Sequence, residues 1–455
     1  MRLWSVFTVT IAFGAAFLIL QLVLYKEFLF KVYDNTRFSN MNDQQLSELN
    51  WEKFNIVFQI FEKLGMKIIL IDNQALQMWQ TTINKVSIGM KSNKRCPVLC
   101  NRKRTAFALM DKDWEANKIK VYNELSKRNI PFIVDYGDDP RITHWSLIGD
   151  QIVYHLWLRL LDHSFVQVVI LYKRGSGNYH WYGPVKNPSI LSGFSRNRSA
   201  NQFGEFEGVY DKFSIVGVSI DGFRVHIPIN INAFLRQSRS QYTMCNMSRA
   251  MIFFQNHGKD LSPKAKKFYD SSKKLITKAK KVLDDLMIPF WISSGTCLGW
   301  FRQCGIIPYS NDVDIGIMAD DYKPVLINAM KRNGFSLKFI FGKLNDSYEL
   351  SFMYGEIKLD IFFFYKEKSY YWNGGTQART GLKFKYIFPK FTLCWTEFLN
   401  LMIRVPCDTQ VYLEANYGIN WFTPIKTWDW KESPPNVIKN GQWDRHEWSK
   451  VIQLF

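Results

Sequence analysis

Two aspartates alternate with apolar residues near the middle of the C-terminal half of the chain. Residues 307–317 read Ile-Pro-Tyr-Ser-Asn-Asp-Val-Asp-Ile-Gly-Ile, which predicts a strand that begins near Asp312. Successive side chains of a strand point to opposite faces, so Asp312 and Asp314 share one face while Val313 and Ile315 pack behind them. Two carboxylates this close raise each other's pKa unless a cation lies between them. The pattern therefore favours a fold that holds Mg²⁺ or Mn²⁺, which prefer oxygen ligands, at this strand.

A third carboxylate strengthens this interpretation. Asp360 opens a second apolar strand that continues to Tyr365. The alternative is that Asp312 is a turn residue and Asp314 is solvated, because isolated Asp-x-Asp pairs are common. An unpaired charge at the edge of a strongly apolar strand is costly, however. We therefore predict that Asp312, Asp314 and Asp360 act together as metal ligands and catalytic residues.

Helical and strand patterns alternate along the whole chain, which predicts a mixed α/β (α+β) fold. Apolar residues make up 47% and charged residues 22% of the 455, which excludes a disordered or fibrous protein. Ser262-Pro263 is typical of a helix start and predicts a long helix to about Leu286. We place a domain boundary at residues 255–260, between an N-terminal domain of residues 31–255 and a C-terminal domain of residues 256–455.

Segments of the two halves resemble one another in the same order. Residues 105–110 parallel residues 313–318, and residues 167–173 parallel residues 360–366. Each match is short, and α/β chains repeat loosely, so internal duplication and chance similarity both stay open at this point.

The two halves differ at the acids. If the halves are copies, the positions of Asp312, Asp314 and Asp360 hold Arg104, Ala106 and Gln167 in the N-terminal half. We then expect the N-terminal half to be a degenerate copy that supports the fold or recognises an acceptor, without catalysing a reaction.

The N-terminus predicts a membrane anchor. Residues 3–25 carry no charged side chain, and this length spans a hydrocarbon core of about 30 Å. A cleaved signal peptide has a shorter apolar region and a small-x-small site, which is absent after Tyr25. Residues 1–30 are therefore predicted to be a cytoplasmic tip and a transmembrane signal anchor. Glycosylation sequons at Asn197, Asn246 and Asn345 favour a lumenal location for the rest.

The charge balance indicates an anionic partner. The formal net charge is +19, which suits nucleic acid, a membrane surface or phosphorylated small molecules. The predicted anchor argues against a nucleic-acid partner. Eight lysines fall in residues 264–281, where a solvated helix face is the favoured explanation over binding of anions.

A second group of residues is placed to bind phosphate. Ser294, Gly295 and Thr296 follow a strand and open a helix, where backbone N–H groups and hydroxyls can hold a phosphate. Arg302 either lies near the same phosphate or caps that helix. The alternative for the first three residues is an ordinary serine-rich helix cap.

Asn373 and Gly374 belong to an Asn-Gly-Gly-Thr sequence that predicts a turn. The backbone of this turn either approaches the ligand or only closes a hairpin. Arg379, Lys383 and Lys385 form a basic strip beyond it, which either binds phosphate or faces water.

Aromatic residues flank one further acid in the sequence Trp428-Asp429-Trp430. The rings either stack on a base or a glycan or lie in the core, and Asp429 is a candidate to hydrogen-bond a ligand hydroxyl. Among the seven cysteines, Cys96 and Cys100 are close enough to pair in an oxidising lumen, and an odd thiol remains. The cysteine and histidine spacing gives no zinc site.

The order of Gly-Thr after a strand, Asp-x-Asp and a lone strand Asp resembles the nucleotidyltransferase fold, and specifically the LicD-type phosphotransferases. Longer segments are similar to the fukutin family within that group. These segments are residues 291–302, 372–377, 384–386, 388–395, 414–418, 426–430 and 433–436. The likeness is dense from about residue 285 to 443 and thin before about residue 256.

The resemblance implies a single-pass type II Golgi membrane enzyme with a lumenal, nucleotidyltransferase-like catalytic domain. It implies transfer of ribitol 5-phosphate from CDP-ribitol to the phosphorylated O-mannosyl glycan of α-dystroglycan, with a divalent metal and with release of CMP. Other Golgi glycosylation enzymes are then candidate partners. On this reading Asp312 and Asp314 hold the metal, while Asp360 completes the site and acts as base or orients the acceptor hydroxyl.

Two alternatives stay open from the residues. A manganese-dependent Golgi glycosyltransferase also uses Asp-x-Asp, but transfers a sugar and releases a nucleoside diphosphate; the third acid, Asp360, argues for the nucleotidyltransferase arrangement. The other alternative is a non-catalytic scaffold for Golgi glycosylation enzymes, against which the intact acids argue.

Overall fold

The structure is a computed structural model that describes residues 43–86, 96–100, 104–140, 151–160, 164–186, 206–237, 241–425 and 427–455. The predicted anchor at residues 3–25 and the sequon at Asn197 lie outside these ranges. Within them, every helix is too short or too polar to cross a membrane.

The mixed α/β fold predicted from the sequence is confirmed, and the chain divides into two compact units. The first comprises the described residues up to Asp135 together with Val153–Leu171 and Ser214–Ile231. The second comprises Tyr136–Ile152, Tyr172–Phe213 and Asn232–Phe455. Residues 255–260 lie within the second unit, and the linear domain boundary predicted there stays a prediction.

The N-terminal half, up to residue 237, alternates helices and strands. Its elements are α1 (Asp43–Lys63), β1 (Ile69–Leu70), α2 (Asn73–Val86), β2 (Arg104–Met110), α3 (Asp111–Lys127), β3 (Phe132–Asp138), β4 (Gln151–Arg159), β5 (Phe165–Arg174), β6 (Tyr179–Tyr182), β7 (Gly208–Asp211), β8 (Ile215–Ile220), β9 (Phe223–Pro228) and α4 (Ile231–Gln237). The strand order is β3-β4-β5-β2-β1-β9-β8, and β6 pairs with β5 and β7.

The C-terminal half repeats this alternation. Its elements are α5 (Met247–His257), α6 (Pro263–Asp285), β10 (Phe290–Ile292), α7 (Ser294–Gln303), β11 (Asp312–Met318), α8 (Leu326–Arg332), β12 (Ser336–Lys343), β13 (Asp346–Tyr354), β14 (Ile357–Lys366), β15 (Tyr370–Gln377), β16 (Leu382–Pro389), β17 (Leu393–Phe398), β18 (Leu401–Pro406), α9 (Thr409–Tyr417), β19 (Val437–Gln442), α10 (Trp448–Val451) and β20 (Ile452–Leu454). Its main sheet runs β19-β16-β15-β14-β13-β12-β20, with β11 beside β14 and β10 beside β11.

The long helix predicted from Ser262-Pro263 is confirmed as α6. The Ser262 side chain caps it by accepting a hydrogen bond from the backbone N–H of Ala265, and Pro263 occupies the first turn. Apolar residues on one face of α6, such as Leu275 and Leu283, are buried in the core around β11 and β14.

The lysines of α6 mostly form the solvated face that the sequence favours. Six of the eight are exposed, namely Lys264, Lys266, Lys267, Lys274, Lys278 and Lys281. Lys273 is half-buried, and Lys280 is buried, with its Nζ 2.8 Å from Asp211 and 2.6 Å from Asp284.

Corresponding strands of the two halves pair in the same register, which supports the internal duplication. In each half a short strand is antiparallel to a second strand (β1 to β2, β10 to β11), and that second strand is parallel to a third (β5 and β14). The matching backbone pairs are Leu70 opposite Phe107 and Ile292 opposite Ile315, Ala106 opposite Gln167 and Asp314 opposite Asp360, and Tyr172 opposite Trp181 and Tyr365 opposite Trp372.

Six of the seven cysteines form disulfides. The predicted pairing of Cys96 with Cys100 is confirmed, and Cys297 is the odd free thiol, buried in α7. The two pairings that the sequence did not predict are Cys245 with Cys304 and Cys394 with Cys407. Disulfides of this number are typical of proteins that fold in an oxidising compartment.

Candidate active site

The fold brings Asp312, Asp314 and Asp360 together on one face of two adjacent strands. Strands β11 and β14 are parallel, and their register sets Asp314 directly opposite Asp360. One carboxylate oxygen from each of the three aspartates lies within 4.8 Å of the others. Across the described ranges, this is the single group of three or more metal-ligating side chains at such distances.

Burial and mutual repulsion destabilise the ionised form of the clustered carboxylates. Asp314 and Asp360 are only 8% and 4% exposed. Burial, and then the nearby charges of Asp312 and Asp360, raises the pKa of Asp314 well above its ordinary value. Burial also raises the pKa of Asp360. Buried like charges of this kind are relieved when a cation binds between them, which is the behaviour expected of a metal site.

Asp312 marks the open side of the cluster. It is the first residue of β11, it is half-buried, and its Oδ1 accepts a hydrogen bond of 2.9 Å from Ser310 Oγ. The most exposed of the three acids is therefore held in place by a residue outside the strand.

Three polar residues that sequence reasoning missed surround Asp360. Ser351 Oγ donates to Asp360 Oδ1 at 2.6 Å, and Lys358 Nζ lies 2.8 Å from Asp360 Oδ2. Burial alone would lower the pKa of Lys358, but the carboxylates of Asp360 and Asp312 raise it above its ordinary value. On β13, Glu349 shares the face of Ser351, and burial together with the charge of Asp360 raises the pKa of Glu349 to about 8. The two-residue spacing of Lys358 and Asp360 in the sequence could have indicated that both side chains lie on one face of a strand.

The start of α7 is tied to the acid strand. The Thr296 hydroxyl accepts a 2.8 Å hydrogen bond from the backbone N–H of Asp314, so it braces β11 and is not free for phosphate on that side. The backbone N–H of Gly295 donates to the Asp314 carboxylate, and a Cβ added at Gly295 would lie 3.6 Å from Asp314 Oδ2. Ser294 adopts a positive φ of 42° beside them, and Ser293 makes no side-chain cap.

Arg302 lies at the other end of α7 and is 1% exposed. Its guanidinium stacks over the ring of Phe253, 4.6 Å from the centroid, and donates to Gln303 Oε1 at 3.1 Å. The structure thus gives Arg302 a packing role in the interior of the second unit.

An aromatic group adjoins the acids. The Tyr417 ring contacts the ring of Trp428, with centroids 4.9 Å apart. Burial, and then the nearby charge of Asp314, raises the pKa of Tyr417 well above its ordinary value. The Tyr386 hydroxyl donates to the backbone carbonyl of Trp430 at 2.8 Å. Trp428 and Trp430 are 36% and 39% exposed, so neither is a core residue.

The turn predicted at residues 373–376 is wrong, because these residues form the interior of β15. Asn373 lies opposite Phe364 of β14 and is buried on the same sheet face as Asp360. The glycines are needed for close packing and not for turn dihedrals: a Cβ at Gly374 would lie 2.0 Å from Ser347 Oγ, and one at Gly375 would lie 3.0 Å from the Trp430 ring.

The basic strip does not join the acid cluster. Lys383 and Lys385 lie on the opposite face of the sheet from Asp360, because they pair with Thr376 and Gly374. The Lys383 ammonium lies 2.7 Å from Asp346 Oδ2, while Lys385 Nζ donates to the Tyr370 hydroxyl at 3.1 Å.

Arg379 and Asp429 are on the surface. Arg379 is exposed in the connection between β15 and β16. The carboxylate of Asp429 accepts a hydrogen bond from the Lys431 backbone N–H and lies 3.1 Å from Lys431 Nζ. These contacts lower the pKa of Asp429.

Two predicted glycosylation sites are accessible. Asn246 is exposed and caps α5 by accepting a hydrogen bond from the Arg249 backbone N–H. Asn345 is exposed in the turn between β12 and β13.

Family sequence models match most of the chain. The family described as "Fukutin N-terminal" matches residues 3–273. The family described as "LicD/FKTN/FKRP, nucleotidyltransferase domain" matches residues 287–408, which include all three aspartates of the cluster.

Curated relatives match over nearly the full length. The chain is 40% identical to the "Ribitol-5-phosphate transferase FKTN" of Mus musculus, over 97% of this chain and 96% of the relative. Identity to the Homo sapiens protein of the same name is also 40%, with the same two coverages. An uncharacterised Caenorhabditis elegans protein is 29% identical over 57% of this chain and 70% of its own length.

Proposed function

The chain belongs to the fukutin family, and on that premise we propose that it is a ribitol-5-phosphate transferase that uses CDP-ribitol. The observation that carries the proposal is the cluster of Asp312, Asp314 and Asp360 on adjacent parallel strands. A scaffold protein has no need of three clustered carboxylates, two of them buried, whose mutual repulsion costs stability. Relatives named as ribitol-5-phosphate transferases, 40% identical over 97% of the chain, support the choice of transferred group.

The proposed acceptor is the phosphorylated O-mannosyl glycan of α-dystroglycan, reached in the Golgi lumen by a type II protein anchored through residues 3–25. The three disulfides support an oxidising compartment. The exposed sequon residues Asn246 and Asn345 support a lumenal location as well. Other Golgi glycosylation enzymes are proposed as neighbours in the same compartment.

The donor set fits a divalent metal ion. Three carboxylates offer hard oxygen ligands, and burial followed by the nearby charges of Asp312 and Asp360 raises the pKa of Asp314, an effect that a bound cation would oppose. Mg²⁺ or Mn²⁺ is the proposed ion, held by Asp312, Asp314 and Asp360. When bound, it would neutralise charge on the donor pyrophosphate.

The proposed reaction is an in-line displacement at phosphorus. The acceptor hydroxyl oxygen forms a bond to the β-phosphorus of CDP-ribitol, the bond from that phosphorus to the bridging oxygen breaks, and CMP leaves. The proton of the hydroxyl passes to Asp360 or to water. Ser351 and Lys358 each engage one oxygen of Asp360, which supports a role in orienting the hydroxyl.

The donor is proposed to lie between the start of α7 and the aromatic group. Ser294 offers its hydroxyl for the pyrophosphate, and the absence of a side chain at Gly295 leaves room for it next to Asp314. Trp428, partly exposed and packed on Tyr417, offers a ring for the cytosine. Asn373 and Gly375 line the same sheet face, so contacts from β15 come from its interior and not from a turn.

The test uses the purified full chain, a phosphorylated O-mannosyl glycopeptide and CDP-ribitol, with Mg²⁺, Mn²⁺ or EDTA. We expect the glycopeptide to gain the mass of one ribitol phosphate, with one CMP released per transfer, and we expect no gain in EDTA or in Asp312→Asn. Release of CDP with transfer of the polyol alone would instead indicate a glycosyltransferase. No gain under any metal, with folded protein and verified acceptor, would overturn the proposal.

A further inference from the structure

A lysine lies among the aspartates of the cluster. Lys358 sits opposite Asp312 on the neighbouring parallel strand and precedes Asp360 by two residues, so all three share one face. Its Nζ lies 2.8 Å from Asp360 Oδ2 and 3.6 Å from Asp312 Oδ2. The ammonium group therefore bridges the two strands across the cluster.

The charges of this group do not balance without a further cation. Among the side chains whose oxygens lie within 4.8 Å of one another, a group that does not include Glu349, ionised Asp312, Asp314 and Asp360 carry three negative charges, and Lys358 compensates one of them. The two that remain match a single divalent ion. Many phosphoryl-transfer sites instead use two metal ions about 3.5–4 Å apart, which together stabilise the attacking and leaving oxygens.

We propose that Lys358 is the built-in second cation of this site: it restricts the cluster to one divalent ion per chain and binds an oxygen of the transferring phosphate. This inference rests on the proposed function, because it needs the three aspartates to be metal ligands. The Lys358 side chain is 36% exposed, so the ammonium is accessible to a substrate phosphate while it still contacts Asp360. An ammonium suits this position as a compact charge on a flexible stem.

A purely structural lysine makes the opposite prediction for metal affinity. If Lys358 only held Asp360 in place, removing it would disorder a ligand and weaken metal binding. If it acts as a second cation, removing it takes away a positive charge that repels the ion, so metal binding becomes tighter while transfer becomes slower.

The experiment measures Mn²⁺ binding to the full chain by electron paramagnetic resonance of the free ion, and CMP release in parallel. For the unmodified chain we expect one Mn²⁺ per chain. For Lys358→Met we expect the affinity for the first ion to rise about tenfold or more and CMP release to fall about 100-fold or more. Lys358→Arg keeps the charge, so we expect metal affinity within about threefold of the unmodified chain and partial recovery of turnover.

Lys366 provides a matched control on the same strand. Its Nζ lies 2.9 Å from Asp320, an acid outside the cluster, and its side chain is half exposed. Lys366→Met removes the same group from β14, and we expect both metal affinity and CMP release to stay unchanged. Should Lys358→Met fail to fold by circular dichroism, Lys358→Gln is expected to give the same two signs.

The outcomes separate this inference from the proposed function. Two Mn²⁺ ions per unmodified chain, or unchanged or weaker binding in Lys358→Met, would overturn the role of Lys358. Absence of Mn²⁺ binding that depends on Asp314 would overturn the metal site and this inference together. If Mn²⁺ binds but CDP-ribitol gives no CMP, the donor assignment fails, and the change in affinity still decides the role of Lys358.

Discussion

The two halves of the molecule present the same backbone pair with different side chains. Across parallel strands, Ala106 faces Gln167 in the N-terminal half and Asp314 faces Asp360 in the C-terminal half. Gln167 is fully buried, with its Nε2 3.3 Å from His155 Nδ1, whereas Asp360 meets the charged Lys358. The same pair of backbone positions thus carries neutral side chains in the N-terminal half and ionisable side chains in the C-terminal half.

The helix that follows the first strand of each half differs in the same sense. In the N-terminal half, Asp72 Oδ1 accepts hydrogen bonds from the backbone N–H groups of Gln74 and Ala75, so a carboxylate already fills the start of α2. In the C-terminal half, the Ser293 side chain makes no such cap, and the backbone N–H of Gly295 donates to the Asp314 carboxylate. The start of α2 is therefore closed by the side chain of its own cap residue, whereas the first turn of α7 donates to a carboxylate on the neighbouring strand.

The comparison teaches that this fold does not need the acids. Strands β2 and β5 keep the register of β11 and β14 although they carry no carboxylate at the matching positions. This strand pairing therefore forms without the three clustered aspartates, and their mutual repulsion is not a requirement of the fold.

Substitution of Asp314 is expected to have the largest effect on transfer, and it distinguishes the roles of the two halves most clearly. Asp314→Asn removes a ligand and a charge from the cluster while conserving shape, so transfer should fall by about 10³-fold or more. CMP release at saturating Mn²⁺ measures this, with circular dichroism to show that the variant is folded. Near-normal turnover in the folded variant would contradict the assignment of the cluster.

A substitution at Gln167, in the N-terminal half, should lower the stability of the fold and leave the rate of transfer unchanged. Gln167→Ala removes a buried amide and opens a cavity, so the free energy of unfolding should fall by about 2–4 kcal/mol. Urea denaturation measures the loss, and CMP release per folded molecule should stay unchanged. If a folded Gln167→Ala chain lost transfer, the N-terminal half would take part in the reaction.

Strand periodicity was enough to predict the acids but not their neighbours. Asp312, Asp314 and Asp360 could be found because carboxylates stand out in apolar strands. The spacing of Lys358 and Asp360 relates these two side chains, but the position of Lys358 opposite Asp312 needs the register of β11 against β14, which depends on long-range pairing. For the same reason the sequence could not show that Lys385 lies on the opposite face from Asp360.

The error at residues 373–376 has a different origin. Gly-Gly in a sequence predicts a turn because glycine tolerates positive φ. Here Gly374 is needed because Ser347, distant in sequence, approaches the strand too closely for a Cβ, and a Cβ at Gly375 would lie in tight contact with the Trp430 ring. The α/β class and the helix start at Ser262 are local or periodic features, and the sequence sufficed for them. The repeat of the halves stayed open until the registers of the paired strands could be compared.

A glycine that differs between the halves gives a smaller, two-sided test. Gly316 occupies in β11 the position of Ala108 in β2, and a Cβ at Gly316 would lie 2.3 Å from the Trp291 ring, whereas Ala108 lies opposite Ile69. Gly316→Ala should overpack the core and lower the free energy of unfolding by about 1–3 kcal/mol. The converse Ala108→Gly should cost about 1–2 kcal/mol through the lost methyl and added chain entropy. Urea midpoints measure both, and a neutral Gly316→Ala would show that Trp291 can shift.

The helix cap of α2 gives the smallest expected effect. Asp72→Ala removes the acceptor for the N–H groups of Gln74 and Ala75 and should lower the free energy of unfolding by about 1 kcal/mol. Asp72→Asn keeps an acceptor oxygen and serves as the matched control, with a change near zero. Thermal unfolding of the two variants measures the difference. If Asp72→Ala also lowered CMP release per folded molecule, the closed helix start of the N-terminal half would contribute to catalysis, and the contrast between a supporting half and a reacting half would fail.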